Sequence, residues 1–364
     1  MKTRAAIISL GSTSSQWTYE AMSEQFDEVD MLQLKDMEVS FSGDKSEVLY
    51  QGDPITRYDC IFAKGSFRYA QLLGSMTAIL ERGCYMPIQS TSFTVGHDKL
   101  LTQLALHQAG VPMPTTTIVS TVPAAKKLLE KLNFPIILKF PHGTGGKGVL
   151  YADSIVVAKG ILDALSALRQ PFLIQEYIDT GGRDVRAIVI GDRVVAAYQR
   201  VSSGRDIRAN IHSGGSGEKI ELDASVKKLC VKAAQACGAD MAGVDLLLSH
   251  RGPLFLEVNL SPGLQGVTNT TGVDVAGHMA KFLYQKTLER KEKVSKHNSE
   301  EIMKELLADD DDEQEQELIT SLEFRGNKVL LPEIITKLTK FNENADYKFT
   351  TSKEYLRVTR FDVK

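Results

Sequence analysis

Hydrophobic and polar positions alternate along the first 95 residues in a pattern that predicts strands and helices in turn. Short apolar runs such as RAAIISLG and YDCIFAKG are typical of strands, and the amphipathic stretch at 66–83 predicts a helix that Gly83 ends. MPIQS at 86–90 suggests a last short strand. We therefore expect a small α/β layer with parallel strands. The GST after the first strand is not a GxGxxG motif, which argues against a dinucleotide site there.

From Asp98 onward the same reasoning predicts a second series of elements. A helix runs from Asp98, a plausible cap, to Gly110. Strands TTTIVS and PIILKF, helix VPAAKKLLEKL, the glycine-rich loop HGTGGKG, strand VLYA, a helix at 154–168 and strand FLIQEYI follow. DVRAIVIG and DRVVAAYQRV form a hairpin around Gly191-Asp192. Next come a polar loop at 202–218, a helix at 223–237 and, after a second hairpin, a helix at about 272–292.

That second hairpin, in the stretch AGVDLLLSHRGPLFLEVNLSPG at 242–263, carries the most informative polar residues. His250, Arg251 and Gly252 suit a three-residue loop, with Gly252 in the left-handed conformation. Such a loop makes Ser249 face Pro253 and places Asp245 opposite Glu257.

Asn259 lies two residues beyond Glu257 and therefore shares its face of the strand. Opposed like charges destabilise a sheet, and an unpaired buried carboxylate is costly. A hard cation such as Mg²⁺ or Mn²⁺ would resolve both problems. The alternative is that one acid pairs with a nearby arginine while the other is solvated.

Composition limits the classes of function. The 364 residues allow two or three domains, and the formal net charge is −3 with no basic patch, so we expect no nucleic-acid partner. No apolar run reaches membrane-spanning length and the N-terminus lacks a signal-peptide layout. The four scattered cysteines are typical of reduced thiols, so the expected compartment is the cytoplasm.

Three further features are weak signals when each is taken alone. The loop HGTGGKGV at 142–149 could close backbone N–H groups over phosphate oxygens, or it could simply be a turn. It lacks the GK[ST] ending of a Walker A motif. Lys139, at the end of PIILKF, and Lys99 could each simply reach solvent. Together with the Asp245, Glu257 and Asn259 cluster, they match what phosphoryl transfer requires.

With this combination of residues the sequence resembles the ATP-grasp superfamily, and within it the RimK-like carboxylate–amine ligases. The resemblance covers about residues 2–293 and is dense at DKL, ILKFPHGTGGKGV, LIQEYID, GRDVRAIVIGDRVVAAYQR, RANIHSGG and the second hairpin with its continuation TTGVDVAG. It implies an α/β fold with an N-terminal Rossmann-like pre-ATP-grasp layer, a two-subdomain ATP-grasp fold and a small C-terminal appendage.

The resemblance also implies a role for individual residues. Two metal ions would be held by Asp245, Glu257 and Asn259, with Glu257 shared. Residues implied in nucleotide binding are Lys99, Lys139, Gly145, Gly146, Glu176, Tyr177, Ile178, Asp184, Arg208 and Asn210. Arg186, Arg208 and Asn210 match positions near the γ-phosphate and the acyl phosphate. Arg186 could instead form a structural ion pair across the sheet, and Tyr177 could be core packing. Lys147 stands where RimK has an aliphatic residue.

The function implied is an ADP-forming ligase that uses ATP and two Mg²⁺ or Mn²⁺ ions. It would add an amino acid, expected to be L-glutamate, to an acceptor carboxylate through an acyl phosphate. The acceptor would be a protein C-terminus, such as that of a ribosomal protein, or a coenzyme. A ligase acting on an amino-group carrier protein and a nucleotide-binding regulatory protein with little turnover are alternatives. A biotin-carboxylase-like enzyme lacks a biotin-carrier segment here. A homo-oligomer, dimer or tetramer, is expected.

The expected domain boundaries follow the motifs and the composition. Residues 1–95 form the pre-ATP-grasp domain and 96–293 the ATP-grasp domain, divided at 170–171. Residues 294–317 are a charged linker that contains the acidic run DDDDEQEQE at 309–317. Residues 318–364 would form a small β-rich appendage.

Overall fold

The computed structural model describes residues 2–141, 148–165, 171–201 and 216–308. It also describes 323–326, 328–331, 335, 339, 341, 342, 345–353 and 355–361. Two compact units divide the chain, residues 1–290 and residues 291–364. None of the helices in the described ranges combines the length and the apolar character needed to cross a membrane.

A parallel sheet forms the N-terminal layer. The elements are β1 (Arg4–Ser9), α1 (Thr13–Ser23), β2 (Glu28–Gln33), β3 (Met37–Ser42), β4 (Lys45–Tyr50), β5 (Asp53–Pro54), β6 (Cys60–Ala63) and α2 (Ala70–Leu80). The sheet order is β2-β1-β6, with β1 parallel to both neighbours, and β3 to β5 form a separate antiparallel sheet. Ala5 to Ile8 on β1 are fully buried. The predicted parallel α/β layer is therefore confirmed.

The predicted strand at 86–90 is wrong. Only single bridges form in this region, between Cys60 and Tyr85 and between Ile88 and Ala239. Pro87 explains the difference, because it has no N–H to donate to a ladder. Ile88 is still buried, so the apolar pattern reports packing and not strand pairing.

The middle of the chain builds a four-stranded antiparallel sheet with its own core. Its elements are α3 (Ser92–His97), α4 (Lys99–Gln108), β7 (Thr116–Val119), α5 (Val122–Leu129), β8 (Ile136–Lys139), β9 (Val149–Ala152), α6 (Ile155–Leu165) and β10 (Phe172–Glu176). The strand order is β7-β10-β8-β9. Asp98 caps α4 as predicted, since its Oδ1 accepts the N–H of Leu100 at 2.7 Å. Side chains of α5, α6 and this sheet form a core separate from the larger one.

A five-stranded antiparallel sheet follows and carries the polar cluster. The elements are β11 (Arg183–Ile190), β12 (Arg193–Val201), β13 (Ser216–Lys219), α7 (Ala224–Ala236), β14 (Met241–Ser249), β15 (Gly252–Asn259), α8 (Leu264–Thr271) and α9 (Val275–Ala308). The order is β13-β12-β11-β14-β15. The predicted hairpin around Gly191-Asp192 is confirmed. The larger core includes residues of this sheet and of the N-terminal layer, so the two form one packed body within residues 1–290.

The β14–β15 hairpin differs from the prediction in its turn. Ser249 pairs with Gly252 and not with Pro253, so the loop has two residues, His250 and Arg251. Gly252 has a φ of +97°, as expected for a left-handed position. A bulge between Asp245 and Leu246 leaves Leu256 without a partner in the ladder and restores the pairing of Asp245 with Glu257.

The second unit contains two short hairpins, in agreement with the predicted β-rich appendage. They are formed by β16 (Glu323–Arg325) with β17 (Lys328–Leu330) and by β18 (Tyr347–Thr351) with β19 (Leu356–Arg360). The acidic run at 309–317 lies outside the described residues.

Candidate active site

The polar cluster lies where β14 and β15 pair at the bulge. Asp245 is directly opposite Glu257, and Asn259 follows on the same strand. Asn259 Nδ2 lies 3.2 Å from Glu257 Oε1 and 3.4 Å from Asp245 Oδ2. The expected convergence of two carboxylates and one amide is therefore confirmed. The carbonyl of the bulged residue Leu256 accepts a hydrogen bond from Gln103 Nε2 at 3.0 Å, which satisfies a group that the ladder leaves free.

Asp245 is held by two arginines in a buried ion network. Arg186 donates from Nε to Oδ1 and from Nη2 to Oδ2, both at 2.6 Å, and Arg200 Nη2 donates to Oδ2 at 2.9 Å. Arg200 also forms a bidentate ion pair with Asp184, in which Nε donates to Oδ1 and Nη2 donates to Oδ2, both at 2.6 Å. The register explains both pairs, because Arg186 faces Asp245 across β11 and β14 and Asp184 faces Arg200 across β11 and β12.

This network keeps Asp245 ionised. The side chain is almost fully buried, and burial alone would raise its pKa, but the Arg186 and Arg200 guanidinium groups outweigh burial and lower the pKa to about 2. The alternative in which one acid pairs with a nearby arginine is thus realised for Asp245. Asp184 and Arg186 each have an ion-pair partner within the network, Arg200 and Asp245 respectively, and their roles toward a nucleotide stay predictions. Arg200, which the motifs did not single out, is part of the same cluster.

The oxygen atoms of the cluster suit a hard cation. No group of three or more His, Cys, Asp or Glu side chains able to hold a metal occurs in the described ranges, so the donor set consists of two carboxylates and one amide. Asp245 Oδ2 already accepts two arginine N–H groups, whereas Oδ1 accepts one and keeps a second lone pair. Within the described ranges no arginine pairs with Glu257, and the Asn259 amide can present its oxygen by turning over. These residues therefore fit Mg²⁺ or Mn²⁺ with Glu257 as the principal ligand.

Lys139 and Lys99 lie close to Glu257. Lys139 Nζ donates to Gln175 Oε1 at 2.7 Å, and Gln175 Nε2 donates to Thr116 Oγ1 at 2.7 Å. Burial lowers the pKa of Lys139 to about 8, the Glu257 carboxylate opposes this shift and Lys99 adds to it. Glu257 and Lys99 are thus near enough to Lys139 to act on it electrostatically. Gln175, whose buried amide orients Lys139, was missed because a glutamine on an apolar strand gives no sequence signal.

Glu176 at the end of β10 and the two residues after it make mainly structural contacts. The Glu176 carboxylate accepts the Thr115 N–H at 2.6 Å and Arg251 Nη2 at 2.8 Å. The Tyr177 ring packs edge-on against Tyr151 with the centroids 5.3 Å apart, as its packing alternative predicts. Ile178 is half-buried. Their implied contact with adenine stays a prediction.

Several predicted site residues lie outside the described residues. They are Gly145, Gly146, Arg208 and Asn210, together with Lys147 and most of the polar loop at 202–218, of which only the end is described, as the start of β13.

Comparison with known proteins shows which family this chain is similar to. A model of the RimK-like ATP-grasp domain matches residues 96–283. A probable alpha-L-glutamate ligase of Vibrio cholerae serotype O1 is 33% identical over 276 residues, which cover 74% of this chain and 91% of that protein. A probable alpha-L-glutamate ligase of Serratia proteamaculans is 36% identical over 248 residues, covering 65% and 80%.

Solved structures show a similar fold at lower identity. The ATP-grasp ligase PsnB, complexed with a phosphomimetic variant of its minimal precursor, Mg and ADP, superposes with a TM-score of 0.62 at 21% identity. The match covers 79% of this chain and 99% of PsnB. A RimK domain ATP-grasp protein from Sphaerobacter thermophilus gives 0.61 at 19% identity, covering 77% and 99%.

Proposed function

Because this chain belongs to the RimK-like ATP-grasp family and is an ATP-dependent ligase, we propose that it joins the amine of L-glutamate to an acceptor carboxylate through an acyl phosphate. The names of its relatives in Vibrio cholerae and Serratia proteamaculans support glutamate as the amino acid. The acceptor is a protein C-terminus or a coenzyme that ends in a carboxylate. The domain boundaries at 95 and 293 and a homo-oligomeric state belong to the same proposal.

The observation that carries the proposal is that Lys99 and Lys139 lie near the Glu257 carboxylate. Phosphoryl transfer to a carboxylate brings together two negatively charged groups, so it needs fixed positive charge. Lys99 lines the same cavity as Glu257 and Asn259, and both Lys99 and Glu257 act electrostatically on Lys139, so the two lysines would supply that charge beside the cluster. Arg186 holds Asp245 ionised and in place.

Each charged residue then has a role in the reaction. Lys139 and Lys99 bind phosphate oxygens and orient the γ-phosphoryl group toward the acceptor carboxylate. Glu257, Asn259 and Asp245 Oδ1 would hold magnesium, which supplies Lewis-acid stabilisation of the transferred phosphoryl group. The acceptor carboxylate becomes an acyl phosphate, and the glutamate amine displaces inorganic phosphate from its carbonyl carbon. The chain needs no covalent nucleophile for this chemistry.

The proposal is tested by mass spectrometry of candidate acceptors after incubation with ATP, Mg²⁺ and single amino acids. We expect a mass increase of one or more glutamyl residues only with L-glutamate, and ADP with phosphate in step with the amide. Pyrophosphate and AMP released in step with the amide would exclude an acyl phosphate. An acceptor modified by another amino acid would exclude glutamate.

A further inference from the structure

Lys64 is a buried cation for which the proposed reaction has no use. The residue is 5% exposed and directly follows β6. Burial lowers the pKa of Lys64 to about 8, and among the described residues no charged group or hydrogen bond contributes to that shift. The Phe62 ring lies 5.8 Å from Nζ and supplies at most a weak cation–π contact. A lysine without a carboxylate partner is costly to bury, so a negatively charged ligand is the natural complement.

The position of Lys64 in the sheet is a place where ligands bind in α/β proteins. In the order β2-β1-β6, the chain leaves β1 toward one side for β2 and crosses to the other side for β6. The carboxyl ends of β1 and β6 therefore flank the point at which the strand order reverses. Ligands of open parallel sheets bind in the crevice at such a point. Lys64 follows β6 there, and the residues after β1 lie across the crevice.

A cavity of about 330 Å³ occupies this crevice. Its walls include Lys64, the hydroxyl-bearing residues Ser9, Ser12 and Ser15, and, from the active-site cluster, Glu257 and Asn259. Ser12 caps α1 by accepting the Ser15 N–H at 3.2 Å, so the N-terminus of α1, where backbone N–H groups favour negative charge, lies at the wall of the cavity. The volume lies at the small end of the range for ligand sites, which fits a compound of amino-acid size.

The backbone around Lys64 is held firmly. The Lys64 N–H donates to the Ile8 carbonyl at 2.9 Å, which continues the pairing of β6 with β1. At the next residue, Gly65, the backbone packs so closely on its neighbours that a Cβ would lie 2.6 Å from Leu34 Cδ2 and 3.0 Å from Leu73 Cδ1. Lys64 therefore starts from a fixed point in the wall of the cavity.

We propose that this cavity is a carboxylate subsite in which Lys64 pairs with a carboxylate of a substrate that does not itself react. The inference deepens the proposed function and rests on it for the identity of the ligand, since both L-glutamate and the acceptor carry a carboxylate. The cavity reaches Glu257 and Asn259, so a substrate anchored at Lys64 would extend its other end toward the reacting groups. The serine hydroxyls and the first turn of α1 would donate further hydrogen bonds to the same carboxylate.

The test is calorimetric titration of the full chain with two compounds, in the presence of Mg²⁺ and a non-hydrolysable ATP analogue. L-Glutamate represents the amino acid, and N-acetyl-L-glutamyl-L-glutamate represents an acceptor. Wild type is compared with Lys64→Met and with Lys45→Met, an exposed lysine of the same layer that does not line the cavity. A charge-assisted hydrogen bond predicts that Lys64→Met weakens binding about 10- to 100-fold, while Lys45→Met changes nothing.

Each outcome either identifies which substrate supplies the carboxylate, the amino acid or the acceptor, or contradicts the inference. Weakening confined to glutamate assigns the subsite to the amino acid, and weakening confined to the dipeptide assigns it to the acceptor. Unchanged nucleotide affinity shows that Lys64→Met is folded. If Lys64→Met binds both compounds as tightly as wild type, or if wild type binds neither, the inference is wrong. Because binding is measured without turnover, a Lys64-dependent carboxylate site can be found even if no glutamyl product forms, in which case only the proposed function fails.

Discussion

Glu257 is the residue on which the proposed chemistry depends most. It is the carboxylate of the cluster that has no arginine partner among the described residues, and it acts electrostatically on Lys139. We predict that Glu257→Gln removes ligation, because losing a metal-binding charge from a closed site costs several kcal/mol of transition-state stabilisation. Turnover is measured by ADP release that depends on acceptor and glutamate.

The matched control for Glu257→Gln is Glu221→Gln. Glu221 has a 93% exposed side chain and lies outside the cluster, so the same change of charge there should leave turnover intact. Thermal unfolding of both variants reports whether the fold is preserved. A Glu257→Gln enzyme that keeps more than about a tenth of wild-type turnover has lost less than about 1.4 kcal/mol of barrier reduction, which is too little for a metal ligand.

The burial of Lys64 predicts how the stability of the folded protein depends on pH in the absence of any ligand. Its pKa in the folded protein is about 8, below the 10.5 of a free lysine, so between these pH values the unfolded chain binds more protons. The cost of burying the charge is fully present below pH 8 and disappears as the pH rises toward 10.5. At pH 7 the difference corresponds to at most about 3 kcal/mol.

We therefore expect Lys64→Met to be more stable than wild type at pH 7, by up to about 3 kcal/mol in the free energy of unfolding. The gain should shrink between pH 8 and pH 10.5. Denaturant titrations of both proteins at several pH values measure it, with Lys45→Met as the reference for a lysine at the surface. A gain that stays constant across this range would mean that Lys64 is not buried as a charge.

At the scale of elements, two β-bulges determine which side chains meet, and the sequence predicts neither. The two-residue β14–β15 loop is one residue shorter than predicted, and the bulge at Leu256 adds one residue, so the predicted pairing of Asp245 with Glu257 is correct although the predicted turn is not. In β11–β12 a register shift between Ile188 and Val189 places Arg200 opposite Asp184. Without that shift Gln199 would face Asp184, so the pairing of Arg200 with Asp184 does not follow from the strand pattern alone.

Local patterns were sufficient where a single element decides the structure. The cap at Asp98, the Gly191-Asp192 turn and the parallel N-terminal layer follow from side-chain chemistry, glycine backbone freedom and apolar runs. The ion network and the cavity at Lys64 depend on contacts between residues far apart in the chain. Such contacts are set by sheet order and register, which a single sequence does not display.

The turn at Gly191 supports a prediction about the β11–β12 hairpin. Gly191 has a φ of +62°, and a Cβ there would lie 2.5 Å from Phe282 Cε2 in α9. Gly191→Ala therefore adds a steric clash to backbone strain, and we expect a loss of stability of about 2–4 kcal/mol. Denaturant unfolding measures this loss.

Gly252→Ala separates the two contributions. Gly252 also has a positive φ, of +97°, but a Cβ there meets no atom within 4 Å. Only the backbone strain applies, so the expected loss is about 1–2 kcal/mol. Equal losses at Gly191 and Gly252 would show that Phe282 moves aside at no cost.

At the scale of the whole molecule, the unit at 291–364 lies beyond the 96–283 segment that matches the RimK-like ATP-grasp domain. Its described part includes the end of α9 and two short hairpins, and none of the residues assigned to phosphate or metal belongs to it. We predict that truncation after Lys293 leaves nucleotide affinity unchanged, because every charged group of the candidate site remains. Calorimetric titration with an ATP analogue measures this affinity.

The same truncation should change the KM for the acceptor. The run 309–317 places seven acids within nine residues, and an acceptor that carries carboxylates has the same sign of charge. Repulsion or competition between them predicts a lower KM for the acceptor after truncation, with the largest effect at low ionic strength, where charges at the surface are least screened. Full-length chain and the truncated protein are compared at low and at high salt. A KM that is identical for both at low salt would leave the appendage with a solubilising role only, since docking of the acceptor on this unit would also have changed the constant.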